Sequence, residues 1–200
     1  RMAKNKLTVN EFIKNLLEPS MEFAKKDVAD VYAFAKKNGF EDSQLQSWDF
    51  SYWSEKYQQA EYSLSAEELK PYFQLESCID AVLGLATRLY GITFKELDNV
   101  PVYHPDVKVY EVNDADGRHL ALFYADFFPR ASKRGGAWMT EFRGQSIRNG
   151  VEYRPFISTV MNFTKPTADA PALITHDELV TFLHEFGHAL HGIFAEGRYG

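Results

Sequence analysis

His184-Glu185-Phe186-Gly187-His188 sets two imidazoles four residues apart, with a carboxylate next to the first. On a helix, four residues span just over one turn, about 6 Å along the axis, so both rings reach one point from one face. Neutral imidazole nitrogen suits Zn²⁺ at about 2.0–2.1 Å. Glu185, one position on, projects beside such a metal and not onto it. There it can hold a metal-bound water and take its proton, which is hydrolytic chemistry. The competing reading is a pair of hydrogen-bonded core histidines with no metal.

A catalytic zinc takes three protein ligands and a water, so a third ligand has to be found. His191 follows His184 by seven positions and shares nearly the same face. One straight helix cannot wrap three ligands tetrahedrally around a zinc, so His191 reads as a supporting or packing histidine. His176 lies eight residues before His184, and Glu196 eight residues after His188. Each is about 12 Å away along a helix. Asp177 and Glu178 stand at least six residues upstream, about 9 Å or more. His104 and His119 have no partner spacing and read as surface or hairpin residues. The third ligand then comes from a distant segment or from sequence beyond Gly200, and the second is favoured because the chain stops just after the motif.

The helix that must carry this motif is well marked. Thr175 and Glu178 form a T-x-x-E capping box, and Asp177 and Glu178 put acidic charge where the helix dipole favours it. Leu179, Phe182, Leu183, Phe186, Leu190, Ile193 and Phe194 make a broad apolar stripe, which predicts burial over much of the circumference. The first ninety residues also read as helices. Leu7 to Leu17 form a short stripe ended by Pro19, and Met21 to Ala35 continue it up to a Gly39 cap. Trp48, Tyr52, Trp53 and Tyr57 read as core packing, Ser65 with Glu68 as a capping box, and Leu75 to Leu89 as a helix stopped at Gly91.

After Gly91 the period changes. Val107–Asn113 and His119–Ala125 alternate around Asp114-Ala115-Asp116-Gly117, which predicts a hairpin. Phe127–Gly136 reads as a loop whose Lys133 and Arg134 are solvated charges. Phe156–Phe163 reads as a strand and Lys165–Pro171 as a loop. The Asn162-Phe163-Thr164 sequon is discounted because it falls in that strand. The chain is expected to be mainly α with a small β-hairpin and sheet region, an α+β fold. The expected organisation is a helical region over 1–95, a small sheet over 96–165, and the zinc-binding helix over 166–200.

Composition narrows the function. Twenty-two basic and 28 acidic residues give a net charge of −6 with no basic block, which argues against nucleic acid as a partner. Apolar runs such as Ala81–Ala86 are far short of the roughly 18 residues a membrane helix needs. The single cysteine, Cys78, permits no internal disulfide. Apolar residues at 45% and charged residues at 25% suit an ordinary globular core. The chain begins at Arg1 with no leader pattern, so it is expected to be cut from something longer.

His184–His188 with Ala189-Leu190-His191-Gly192, preceded by Thr175–Glu178, resembles the thimet oligopeptidase/peptidyl-dipeptidase family of zinc peptidases. Asn162-Phe163-Thr164-Lys165-Pro166, Lys133–Met139 and the Trp48–Gly91 stretch with Pro71-Tyr72-Phe73 carry the same resemblance, which therefore covers most of the chain. The form HEFGHALHG followed by Phe194 to Tyr199 is more similar to the bacterial dipeptidyl carboxypeptidase branch than to the endopeptidases. The resemblance implies one zinc ion held by His184 and His188, with Glu185 as general base. It implies a third ligand, a Glu on a following helix, past Gly200. It implies that the chain is a piece of a larger, mostly helical zincin-type peptidase that acts on short peptides and releases C-terminal dipeptides. Gly136 and Ala137 resemble the segment that offers backbone to the peptide, with an ordinary loop and strand as the other reading. A bacterial cytoplasmic or periplasmic location is expected. The rival from another class is a non-catalytic helical interaction module with a structural or relic metal site.

Overall fold

The computed structural model describes residues 4–62 and 66–197, in two compact units, Arg1–Ser65 and Ala66–Gly200. Ser65 of the expected capping box and Tyr199 of the resembling segment lie outside the described residues.

The first unit is two helices, α1 (Lys6–Lys37) and α2 (Ser47–Tyr62). Asn5 caps α1 by accepting from the Thr8 N–H at 3.0 Å. Pro19 does not end the helix as its position suggests; α1 runs through it, and Ser20 Oγ donates to the Leu16 carbonyl at 2.7 Å. The aromatic stripe of α2 is not core, since no residue of this helix is buried. Trp53 and Tyr57 pack edge-on against Phe34, and Trp53 also against Phe40, whereas Trp48 and Tyr52 are exposed.

The second unit opens with a short helix, α3 (Ala66–Leu69), and a 3-10 turn, Lys70–Tyr72. Then comes α4 (Leu75–Tyr90), whose buried face is Leu75, Cys78, Ile79, Val82, Leu83 and Ala86. It ends at Gly91, whose φ of 75° only glycine adopts freely and whose N–H closes on the Thr87 carbonyl. Seven strands follow: β1 (Thr93–Glu96), β2 (Lys108–Asn113), β3 (His119–Asp126), β4 (Trp138–Arg143), β5 (Ser146–Arg148), β6 (Val151–Tyr153) and β7 (Phe156–Val160). The hairpin of alternating residues is β2–β3, turning at Gly117. The main sheet has the order β1-β2-β3-β7-β4, and β5–β6 form a separate ribbon. β7 pairs parallel with β3 and antiparallel with β4, so β4 is an edge strand.

The last helix, α5 (His176–Ile193), buries Phe182, Phe186, Ala189, Gly192 and Ile193 against the sheet. Phe182 meets Phe127 edge-on, and Phe186 meets Phe123. Gly192 allows the close approach: a Cβ there would stand 2.7 Å from Ile157 Cδ1. Burial is confined to this one face, narrower than the stripe predicts, since Leu183 and Phe194 stay exposed.

Candidate metal centre

The helix is pinned at both ends. At its start Thr175 Oγ1 accepts from the Glu178 N–H at 3.1 Å, and Glu178 Oε2 accepts from the Thr175 N–H at 2.7 Å. These two bonds satisfy donors that a helix start otherwise leaves open. At its end the nearly buried Arg154 guanidinium donates to the Ile193 carbonyl at 2.8 Å and the Ala195 carbonyl at 3.1 Å. Its Nε donates to the Leu120 carbonyl at 2.7 Å, which ties the helix end to β3. A cation at the C-terminal carbonyls also complements the helix dipole. Nothing in the sequence around Arg154 signals this role, because its partners are 34 to 41 residues away.

His184 and His188 stand on the exposed face between these anchors. Their Nε2 atoms are 3.2 Å apart, and the rings meet edge to face at 80° with centroids 4.8 Å apart. Both rings are exposed, so they are not the core pair of the competing reading. Two nitrogens bound at about 2.0–2.1 Å to one tetrahedral ion are about 3.3 Å apart. The observed spacing is close to that value, and it is also within hydrogen-bond reach of one ring nitrogen for the other. Glu185 is half-buried beside them, and among the described residues its carboxylate has no hydrogen-bond partner.

The remaining candidates are engaged elsewhere. Glu178 belongs to the capping box, Asp177 pairs with His176, and Glu196 pairs with Arg118 at 3.2 Å. His104 lies against Asp106 and His119 against Glu111 on β2. Among the described residues no group of three His, Cys, Asp or Glu could hold a metal ion.

Edge strand β4 flanks α5 along its length. Gly136 and Ala137, just before β4, line a 290 Å³ hollow with Glu178 and Thr181 of the helix's first turns. Glu141 of β4 lines a larger cleft, about 770 Å³, with Gly187 and His191 further along. The outer edge of β4 is unpaired, and neither hollow is lined by His184 or His188. Gly136 has φ 95°, and its carbonyl accepts from Asn162 Nδ2 at 2.7 Å.

Lys133 is not the solvated charge its loop position suggests. It is 2% exposed and donates to Asp126 Oδ1 at 2.9 Å and to the Asp126 and Phe128 carbonyls. Asp126, 1% exposed, also receives a two-pronged pair of bonds from Arg130, both 2.9 Å, and one from Tyr103 Oη at 3.0 Å. Burial alone would push the Asp126 carboxyl up, but the bonds from Arg130 and Lys133 outweigh it and hold it below the usual carboxylate range. Burial pushes Lys133 down, against the pull of Asp126, and pushes the Tyr103 phenol up to about 12. No spacing rule announces this cluster, since Tyr103 is 23 residues from Asp126.

A family model described as peptidase family M3 matches residues 1–200. The chain is 41% identical over its whole length to a dipeptidyl carboxypeptidase of Salmonella typhimurium, of which it covers 29%. It is also 41% identical, over 96% of its length, to oligopeptidase A of Escherichia coli, of which it covers 28%. Saccharolysin of Saccharomyces cerevisiae is 30% identical over 99% of the chain. The chain thus spans about three-tenths of the length of the curated relatives it matches.

Proposed function

The chain belongs to peptidase family M3, and from that membership we propose that it supplies two zinc ligands, His184 and His188, and the general base, Glu185, of an enzyme that hydrolyses short peptides. The observation that carries this is the 3.2 Å Nε2 pair on the exposed face of a doubly anchored helix. When bound, zinc would polarise the scissile carbonyl and make water a stronger nucleophile. Glu185 takes the proton of the attacking water as the new C–O bond forms. It then gives that proton to the leaving amine as the C–N bond breaks. The free edge from Ala137 along β4 pairs with the peptide backbone, which binds many sequences with little side-chain selectivity. The third protein ligand comes from outside these 200 residues.

We take release of C-terminal dipeptides as the specific reaction. The oligopeptidase reading stands beside it because identity to both named relatives is the same, 41%. Short peptides with a free or an amidated C-terminus separate them in the longer protein. Dipeptide release needs the free carboxylate, whereas internal cleavage tolerates the amide. The peptidase reading itself is tested by Glu185→Gln. The variant should keep its zinc and lose roughly 10²–10⁴-fold in kcat. Loss of zinc would instead make Glu185 a ligand. Among the described residues no helix is long and apolar enough to cross a membrane.

A further inference from the structure

We propose that Asp126 is the positioning residue of the peptide-binding edge: its ion cluster fixes both ends of β4 beside the metal-binding helix. The proposal rests on the peptidase reading above and deepens it. β3 and β4 are not neighbours; the chain leaves β3 at Asp126, passes the end of β7, and lands on the far edge of the sheet. That crossing loop, residues 127–137, decides where β4 begins. Its middle is gripped by Asp126 through Arg130 and Lys133. Its end is held by Asn162, whose Nδ2 donates to the Arg134 carbonyl at 3.0 Å and the Gly136 carbonyl at 2.7 Å.

The same carboxylate reaches the other end of the strand. Tyr103 donates to Asp126, and its ring meets Phe142 of β4 edge-on with centroids 5.8 Å apart. One buried side chain therefore touches the loop that leads into the strand and, through Tyr103, the support of its next-to-last residue, Phe142. Stability gives no reason for such a device. Buried ionic groups can often be replaced by apolar ones at no loss, so geometry is what the cluster supplies. A shifted β4 would move its free N–H and C=O groups relative to His184 and His188 and leave the helix itself untouched.

Substrate held by backbone pairing is bound alike in the ground and transition states, so loss of the pairing raises KM and spares kcat. The test uses the full-length protein and two variants. Asp126→Asn removes the charge at the hub; Asn162→Ala removes only the half-exposed pin at the loop's end and keeps the test alive if the first variant fails to fold. Each should raise KM for a short fluorogenic peptide about tenfold, with kcat within about threefold of wild type and zinc content unchanged. A peptide N-methylated at successive backbone amides should lose affinity for the wild type, and that penalty should shrink in both variants. Folded variants with wild-type KM, or with kcat and zinc falling together, would overturn the positioning role. A zinc-loaded wild type that cleaves no peptide would overturn the peptidase reading first, and this inference with it.

Discussion

Removal of the Asp126 carboxylate by Asp126→Ala should be among the most damaging single changes in the second unit. Lys133, whose side chain is 2% exposed, would keep two carbonyl partners and lose the one carboxylate it is bonded to, with Asp106 left as a more distant charge. Arg130 is 20% exposed and can turn toward water, so the loss falls on Lys133. Breaking a buried pair from one side costs about 3–5 kcal/mol. An upper limit comes from titration. Lowering a lysine from about 10.4 to 7 takes about 4.6 kcal/mol, beyond which the amine sheds its proton at pH 7. We therefore expect a loss of about 3–4 kcal/mol in urea unfolding at pH 7, followed by circular dichroism. The variant's amine has a folded pKa below its unfolded one, so its unfolded state binds more protons and the deficit should shrink between pH 7 and 10. Wild type should lose stability in acid. The depressed Asp126 gives stability that is fully present above the unfolded value near 4 and fades as pH falls through the lower folded value. Asp126→Leu with Lys133→Met should recover much of the loss. A cost below about 1 kcal/mol for Asp126→Ala, flat with pH, would refute the account.

Other changes separate the parts of the site. Thr175→Ala removes one half of the capping box and should cost about 1 kcal/mol in unfolding experiments, with the histidine spacing kept because Arg154 still holds the far end. Gly192→Ala gains about 1 kcal/mol of helix propensity but drives a methyl into the fully buried Ile157, so a net loss of about 1–2 kcal/mol is expected. Gly84→Ala meets no atom within 4 Å on an exposed helix position and should raise the melting temperature instead. On the function proposed above, which gives these residues two of three zinc ligands, the 200 residues taken alone should bind zinc weakly in equilibrium dialysis and cleave no fluorogenic peptide.

Helix α5 was readable because its signals are local. Cap, acidic first turn, apolar stripe and the four-residue histidine spacing all lie within 19 residues, Thr175 to Ile193. The β2–β3 hairpin was readable for the same reason. What escaped depends on distant partners. β1 has four residues, too few to show a period, and exists because β2 offers it an edge. The β5–β6 ribbon did carry a signal, Asn149-Gly150, both at positive φ as a tight hairpin turn requires. That β4 is an edge, and that Lys133 is buried, follow from strand order and from Asp126 and Tyr103. Solvation of a loop lysine is the usual outcome, and only a buried carboxylate reverses it. Pro19 misled because an isolated proline marks a helix end in most contexts, yet α1 continues for 18 residues past it.

The double anchorage of α5 bears on how a metal would come and go. A helix held by a reciprocal cap at one end and a guanidinium clamp at the other has little freedom to fray, slide or rotate when an ion departs. The two imidazoles stand on this anchored helix with their Nε2 atoms 3.2 Å apart. Their ordering entropy is then spent when the chain folds and not when the metal arrives. An ion arriving at this face would therefore meet a helix whose geometry is already set by its two anchors and not by the ion.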